Sequence, residues 1–294
     1  MTQFTDTTFN EERALFRQNG ALVDGCVFRT GESPLKECLD LTVTGCELIW
    51  KYPLWYDRRV TVANTHWAAT ARAGVWYTED ITVADSVIDA PKNFRRCRGV
   101  TLENVTFTDA LETLWSCRDV TLKNVTVQGD YFAMNCDGLT VDGLTLGGGY
   151  CFDGVKNAVI RNARLDTKDA FWNSENVTVY DSYIKGEYLG WNAKNLTLVN
   201  CEVESLQGFC YIDGLKLVDC RLVNTQLAFE YSDVDATLAG PVGSVFNPRA
   251  GVIRAPRIDS LILDPAQIDP TNTVIDCPDI GERRTSPDWE AQMV

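Results

Sequence analysis

The sequence predicts an all-β protein: a single-stranded, right-handed parallel β-helix, or solenoid, of about eleven to thirteen coils. Three observations predict it. One phrase recurs every 19 to 21 residues; apolar residues alternate inside it with small or polar ones; and two of its columns are reserved for Gly, Asn and Asp. Repetition at such a period settles architecture before any single residue is interpreted, because each unit closes a core only by stacking on its neighbours.

The phrase begins at Gly20, Asp40, Arg59, Asp80, Gly99, Asp119, Gly138, Asn157, Asn176, Asn195 and Gly214. Its second residue is apolar throughout, from Ala21 and Leu41 to Leu215, and so is its fourth, from Val23 and Val43 to Leu217. Alternation with Val, Ile and Thr is the signature of a strand with one buried face. The sixth residue is Gly25, Gly45, Asn64, Asp85, Asn104, Asn124, Gly143, Asn162, Asp181, Asn200 or Asp219. These residue types tolerate a left-handed backbone best, so the column predicts a sharp bend. The first residue predicts a second bend, with Arg59 as its one exception. A small inward residue follows the bend (Cys26, Cys46, Ser86, Cys201, Cys220), then a large one two positions on (Phe28, Ile88, Phe107, Ile184, Leu222). No helical periodicity separates the strands, which excludes βαβ units and leucine-rich horseshoes.

Three stretches result: an N-terminal cap over 1–19, the repeats over 20–232, and irregular last coils with a C-terminal cap over 233–294, frayed from about Asp276. The N-terminus shows neither a basic region nor an apolar run, and no stretch has membrane-spanning length, so a cytoplasmic location is expected. The eleven cysteines follow the repeat: Cys26, Cys46, Cys201 and Cys220 share one inward column, and Cys38, Cys97, Cys117 and Cys136 another. They read as buried core filler in a reducing compartment. No CxxC pair occurs, so neither a metal site nor any other cofactor is expected. The net charge of −14 disfavours nucleic acid and anionic membranes as partners.

Chemistry falls to the ten to twelve residues between one phrase and the next. One column there is inward and apolar (Leu54, Phe94, Leu114, Phe152, Phe171, Phe209). The next reads Lys36, Trp55, Trp76, Arg95, Trp115, Met134, Asp153, Trp172, Trp191, Cys210, Phe229, and holds five of the eight tryptophans. Charges mixed among them cannot line a narrow dry core, so this column faces outward. Three positions earlier lie Tyr52, Lys92, Glu112, Tyr131, Tyr150, Asp169 and Tyr188. Aromatic rings interleaved with charges suit sugar rings, through stacking and directional hydrogen bonds. Candidate binding residues are Trp55, Trp76, Trp115, Trp172, Trp191, Tyr131, Tyr150, Tyr188, Lys36, Lys92 and Arg95. Two other readings compete: a ring ladder that stabilises the coils, and a face covered by the C-terminal segment or by a second copy of the chain.

The single histidine, His66, lies on the outward side and assembles no nucleophile system. Paired carboxylates are the better catalytic candidates. Asp169 and Glu187 sit one column apart on adjacent coils, as do Glu112 and Asp130, and Asp153 completes the set. Such pairs suit glycoside hydrolysis; the same acids also suit plain ion pairing with lysines and arginines.

The inserts Gly31-Glu-Ser-Pro-Leu-Lys-Glu37, Trp50-Lys-Tyr-Pro-Leu-Trp-Tyr56, Ala71-Arg-Ala-Gly-Val-Trp-Tyr77, Ala90-Pro-Lys-Asn-Phe-Arg-Arg96, Lys168-Asp-Ala-Phe-Trp-Asn173 and Leu227-Ala-Phe-Glu-Tyr231 resemble a bacterial family called domain of unknown function 3737. The resemblance covers nearly the whole chain. It implies a pectin-lyase-like right-handed β-helix and carries no established activity or functional residue, and fold alone assigns none. The sequence thus points to an intracellular carbohydrate-binding or carbohydrate-active protein. If an enzyme, it resembles a glycoside hydrolase or polysaccharide lyase; its partner is an oligosaccharide or sugar derivative on the Trp/Tyr face. The alternative is a non-catalytic module whose aromatic face forms a homo-oligomer or partner interface.

Overall fold

The left-handed bend columns explain how so short a repeat turns its corners. In the computed structural model, which describes residues 2–287, all eleven sixth-position residues have positive φ, from 48° at Asp85 to 75° at Gly143. All eleven first-position residues do too, Arg59 included at 54°. Arg59 is held there by a bidentate bond to Asp40, one coil earlier in the same column (2.6 and 2.8 Å). Where Asn fills a bend, its amide ties coils together: Asn104 Nδ2 donates to Asp85 Oδ1, Asn195 to Asn176 and Asn200 to Asp181, at 2.8–2.9 Å. A side chain that bridges coils offsets the strain of a left-handed non-glycine residue.

The result is a parallel β-solenoid of about fifteen turns. It divides into two compact units, residues 1–158 and 159–294. In the first, the strands Thr2–Thr5, Asn19–Asp24, Leu39–Thr44, Arg58–Ala63, Glu79–Ile88, Arg98–Phe107, Arg118–Gln128 and Asp137–Gly147 pair in parallel, each with the next. In the second, Glu175–Tyr180, Lys194–Val199, Leu215–Val223, Asp233–Leu238, Ala250–Arg254 and Thr273–Asp276 do the same.

The turn count exceeds the expected eleven to thirteen because both ends are more regular than their sequences. Thr2–Thr5 and Thr8–Phe9 already run in register with the first repeat, so 2–19 forms a coil of its own. At the other end the expected fraying from Asp276 does not occur within the described residues. Ile280–Arg284 pairs with Ile258–Ile262, which pairs with Val242–Phe246. Hydrogen bonding between coils needs only backbone, so a ladder persists where the side-chain pattern blurs. Residues 288–294, the rest of the expected tail, lie outside the described residues.

The second and fourth phrase residues are buried in every repeat, none more than 2 % exposed. Ten of the eleven cysteines are buried and all are free thiols. Cys117 and Cys136 each donate to a carbonyl of the preceding coil at 3.0 Å, which makes them satisfied core filler. The second cysteine column also contains Asp57, fully buried. Its Oδ1 accepts from the Cys38 amide at 2.6 Å, while Oδ2 has no partner. Burial pushes its carboxyl up to about 8.

Candidate functional site

The tryptophan column faces outward, each ring half-buried. In residues 2–158 it is a closed stack. Trp55 and Trp76 lie parallel at 5.0 Å and 5°, and the Arg95 guanidinium fits between Trp76 (4.9 Å) and Trp115 (4.7 Å). Tyr56 stacks on Tyr77 (4.9 Å, 9°), Tyr131 on Tyr150 (5.2 Å, 2°), and the Lys36 ammonium lies 5.5 Å from Tyr56. The indole N–H groups are used as well. Trp55 donates to Ala73 O, Trp76 to Lys92 O and Trp115 to Tyr131 O, at 2.6–3.0 Å, in each case to the next coil. Rings stacked on rings leave their edges, not their faces, to solvent, so in this region the ladder reading describes the geometry.

In residues 159–287 the rings are splayed. Trp172 and Trp191 are tilted by 35° at 5.8 Å, Trp191 and Tyr211 by 42° at 4.9 Å, and Tyr211 and Tyr231 by 37° at 5.5 Å. Tyr188 meets Trp191 edge-on at 6.2 Å. Trp172 donates to Tyr188 O at 2.8 Å, as its counterparts do. The Trp191 indole N–H makes no hydrogen bond among the described residues, and the ring is half-buried like the others of its column.

The carboxylates separate in the same way. Glu112 is held by Lys92 (3.3 Å) and Arg95 (2.9 Å) of the preceding coil, whereas Asp130 Oδ1 accepts from Gly149 N of the following one. The two acids sit on adjacent coils, as expected, and their carboxylates point away from each other. Asp153 is partly exposed on the coil that follows that of Asp130. Asp169 and Glu187 are brought close enough to interact electrostatically. Asp169 is only 1 % exposed. Its burial raises its carboxyl above the ordinary range, the Tyr188 amide and the Lys168 charge oppose that, and the charge of Glu187 adds to it. Glu187 itself is exposed. His66 pairs with Asp89 at 2.8 Å. No three His, Cys, Asp or Glu side chains converge as a metal site would require, among the described residues.

One residue escaped the column arithmetic. Placing Phe229 in the outward column assumes one more step of 19 residues, and the structure corrects it. Phe229 is fully buried and stacks on Phe209 (6.2 Å, 21°), while Tyr231 lies tilted beside Tyr211. That coil is one residue longer, so Glu230 takes the outward place above Cys210. Its Oε2 accepts from Gln207 Nε2 at 2.7 Å. Burial raises the Glu230 carboxyl, opposed by bonds from Cys210 and Gln207, and its charge helps to raise the Tyr211 phenol. The acid is visible in the sequence; only the coil length hid its column.

A perturbed carboxyl beside open aromatic rings marks a functional-site candidate. The sequence profile described as Protein of unknown function (DUF3737) matches residues 2–276. The chain belongs to that family. No curated protein matches it in sequence. Among solved structures it is similar to the A-module of mannuronan C-5 epimerase AlgE6 from Azotobacter vinelandii (12 % identity, 97 % of this chain and 89 % of that one, TM-score 0.39). It is similar also to PfbA, a surface adhesin of Streptococcus pneumoniae (8 %, 97 % and 85 %, 0.37), and to polygalacturonase from Erwinia carotovora (11 %, 98 % and 96 %, 0.31).

Proposed function

We propose that this DUF3737 protein binds carbohydrate on the outer surface of residues 159–287, through Trp191, Tyr211 and Tyr231 with Trp172 and Tyr188 beside them. The observation that carries the reading is Trp191: tilted against both of its ring neighbours, its indole N–H without a hydrogen bond among the described residues, and two coils from the perturbed Glu230. A tilted ring offers a sugar part of its face, and the N–H, the tyrosine hydroxyls and Glu230 offer directional bonds. Glycoside hydrolysis is the chemistry such a surface supports. Asp169 and Glu230 are the acids whose surroundings favour the protonated form that a proton donor needs.

The test is tryptophan fluorescence across a panel of oligosaccharides. Saturable quenching by one class, weakened at least tenfold in Trp191→Phe and unchanged in Trp76→Phe, supports the reading. No quenching, or equal loss in both variants, overturns it. A subunit interface is the second reading, favoured in residues 2–158 by a flat strip of ring edges that includes Tyr56, 48 % exposed. Light scattering decides it: Trp115→Ala lowers the mass if that strip joins copies, and an unaltered mass removes the reading.

A further inference from the structure

Away from the aromatic column, the coil-to-coil ladder opens after Cys220. Cys220 pairs with Leu238, 18 residues on, and Ala228 with Val245, 17 residues on. The span joining Leu238 to Val245 is therefore one residue shorter than the 220–228 span beneath it, and it contains Pro241, which has no amide hydrogen to donate. Between those two points Arg221–Leu227 has no ladder partner on the following coil. An opening of about 370 Å³ results, lined by Arg221, Asn224, Gln226, Gly240, Pro241 and Asp259 among others. That volume lies at the small end of ligand sites, about 300–1,000 Å³.

Its polar groups are sorted. Arg221 is exposed and makes no ion pair among the described residues, whereas Arg249, Arg254 and Arg257 of the same unit each hold a carboxylate at 2.6–3.0 Å. Gln226 accepts from the Ser244 hydroxyl through Oε1 (2.9 Å), which leaves Nε2 as a donor against Gly243. Asn224 donates to Glu204 (3.2 Å), which leaves Oδ1 as an acceptor, and Asp259, whose Oδ1 is held by Arg257 at 2.6 Å, adds its Oδ2 at the rim. An unpaired planar guanidinium prefers a carboxylate or phosphate that it can grip with two bonds. Asn224 Oδ1 and Asp259 Oδ2 can each accept from a donor, and a ligand made only of anionic oxygens supplies none. We infer that this opening binds a monosaccharide-sized carboxylate that also carries hydroxyls, with its carboxylate on Arg221 and Gln226 and its hydroxyls on Asn224 and Asp259.

Calorimetric titration of the full chain with sodium glucuronate tests it, with glucose and acetate as half-ligands. The expected result is saturable millimolar binding of glucuronate, at least tenfold weaker for glucose and for acetate. Arg221→Ala and Arg221→Lys both weaken it at least tenfold, the second because an ammonium cannot grip in two places. Asp259→Asn weakens it severalfold. Arg254→Ala leaves it unchanged. Absence of saturation with glucuronate, equal binding of glucose, an undiminished Arg221→Ala, or equal losses in Arg221→Ala and Arg254→Ala would each overturn the inference.

Discussion

The same column of large aromatics behaves in two ways along this chain. In residues 2–158 Trp55, Trp76, Arg95 and Trp115 lie face on face, the N–H groups of these three indoles are spent on the next coil, and the neighbouring acid, Glu112, is held by two cations. In residues 159–287 the rings tilt by 35° to 42°, the Trp191 N–H is unspent, and two acids are raised by burial instead of neutralised by cations. The raised carboxyls are placed differently too. Asp57 is sealed in the core, whereas Glu230 sits in the outward column. One ring column thus serves mainly cohesion in the first region and is left available for contact in the second. The neighbours differ too: Trp76 has an indole on one side and a guanidinium on the other, while Trp191 has Trp172 on one side and the small Cys210 on the other.

The comparison is sharpened most by removing one ring from each region. Trp76→Ala should lower stability by about 3–4 kcal/mol in urea denaturation, since it loses two stacked faces and an inter-coil hydrogen bond. Trp191→Ala should lose about 1 kcal/mol, and equal losses would erase the distinction between the regions. Asp57 comes next. Its folded-state carboxyl is raised to about 8, so its contribution to stability is fully present below the unfolded value near 4 and is lost as pH rises through 8. Asp57→Asn keeps the acceptor for Cys38 and removes the charge. Allowing for its unpartnered amide, the gain at pH 9 should be about 3 kcal/mol, with a flattened slope between pH 4 and 8 in thermal unfolding. An unchanged slope would mean that the carboxylate finds water.

Smaller effects probe the outer surface. Arg95→Lys should cost about 1 kcal/mol, because a compact ammonium cannot lie flat between two indoles and hold Glu112 at once; full stability in this variant would remove the sandwich from the account. Glu230 is raised, so what its neutral form contributes is present below the ordinary glutamate value and lost as pH rises through the raised one. Ligand quenching at Trp191 should therefore weaken with rising pH in the wild type and hold level in Glu230→Gln. A parallel decline in both proteins would place the titrating group elsewhere.

The bend columns, the buried strand face, the cysteine columns and the outward tryptophans were all legible in residues such as Asn104, Val83, Cys117 and Trp76. Each belongs to a pattern that every coil repeats against its nearest neighbours, and such patterns survive without knowledge of the rest of the chain. Arg59 shows the limit of residue type alone: its left-handed backbone became intelligible only with Asp40 in place beneath it. The tertiary structure decided what depends on coil length and on side-chain direction. It moved Glu230 into the outward column in place of Phe229, turned Glu112 and Asp130 apart, tilted Trp191, and opened the ladder above Arg221. A period of 19 to 21 residues leaves a one-residue uncertainty at each step. In a strand that single residue reverses which side chain faces the core and which faces solvent.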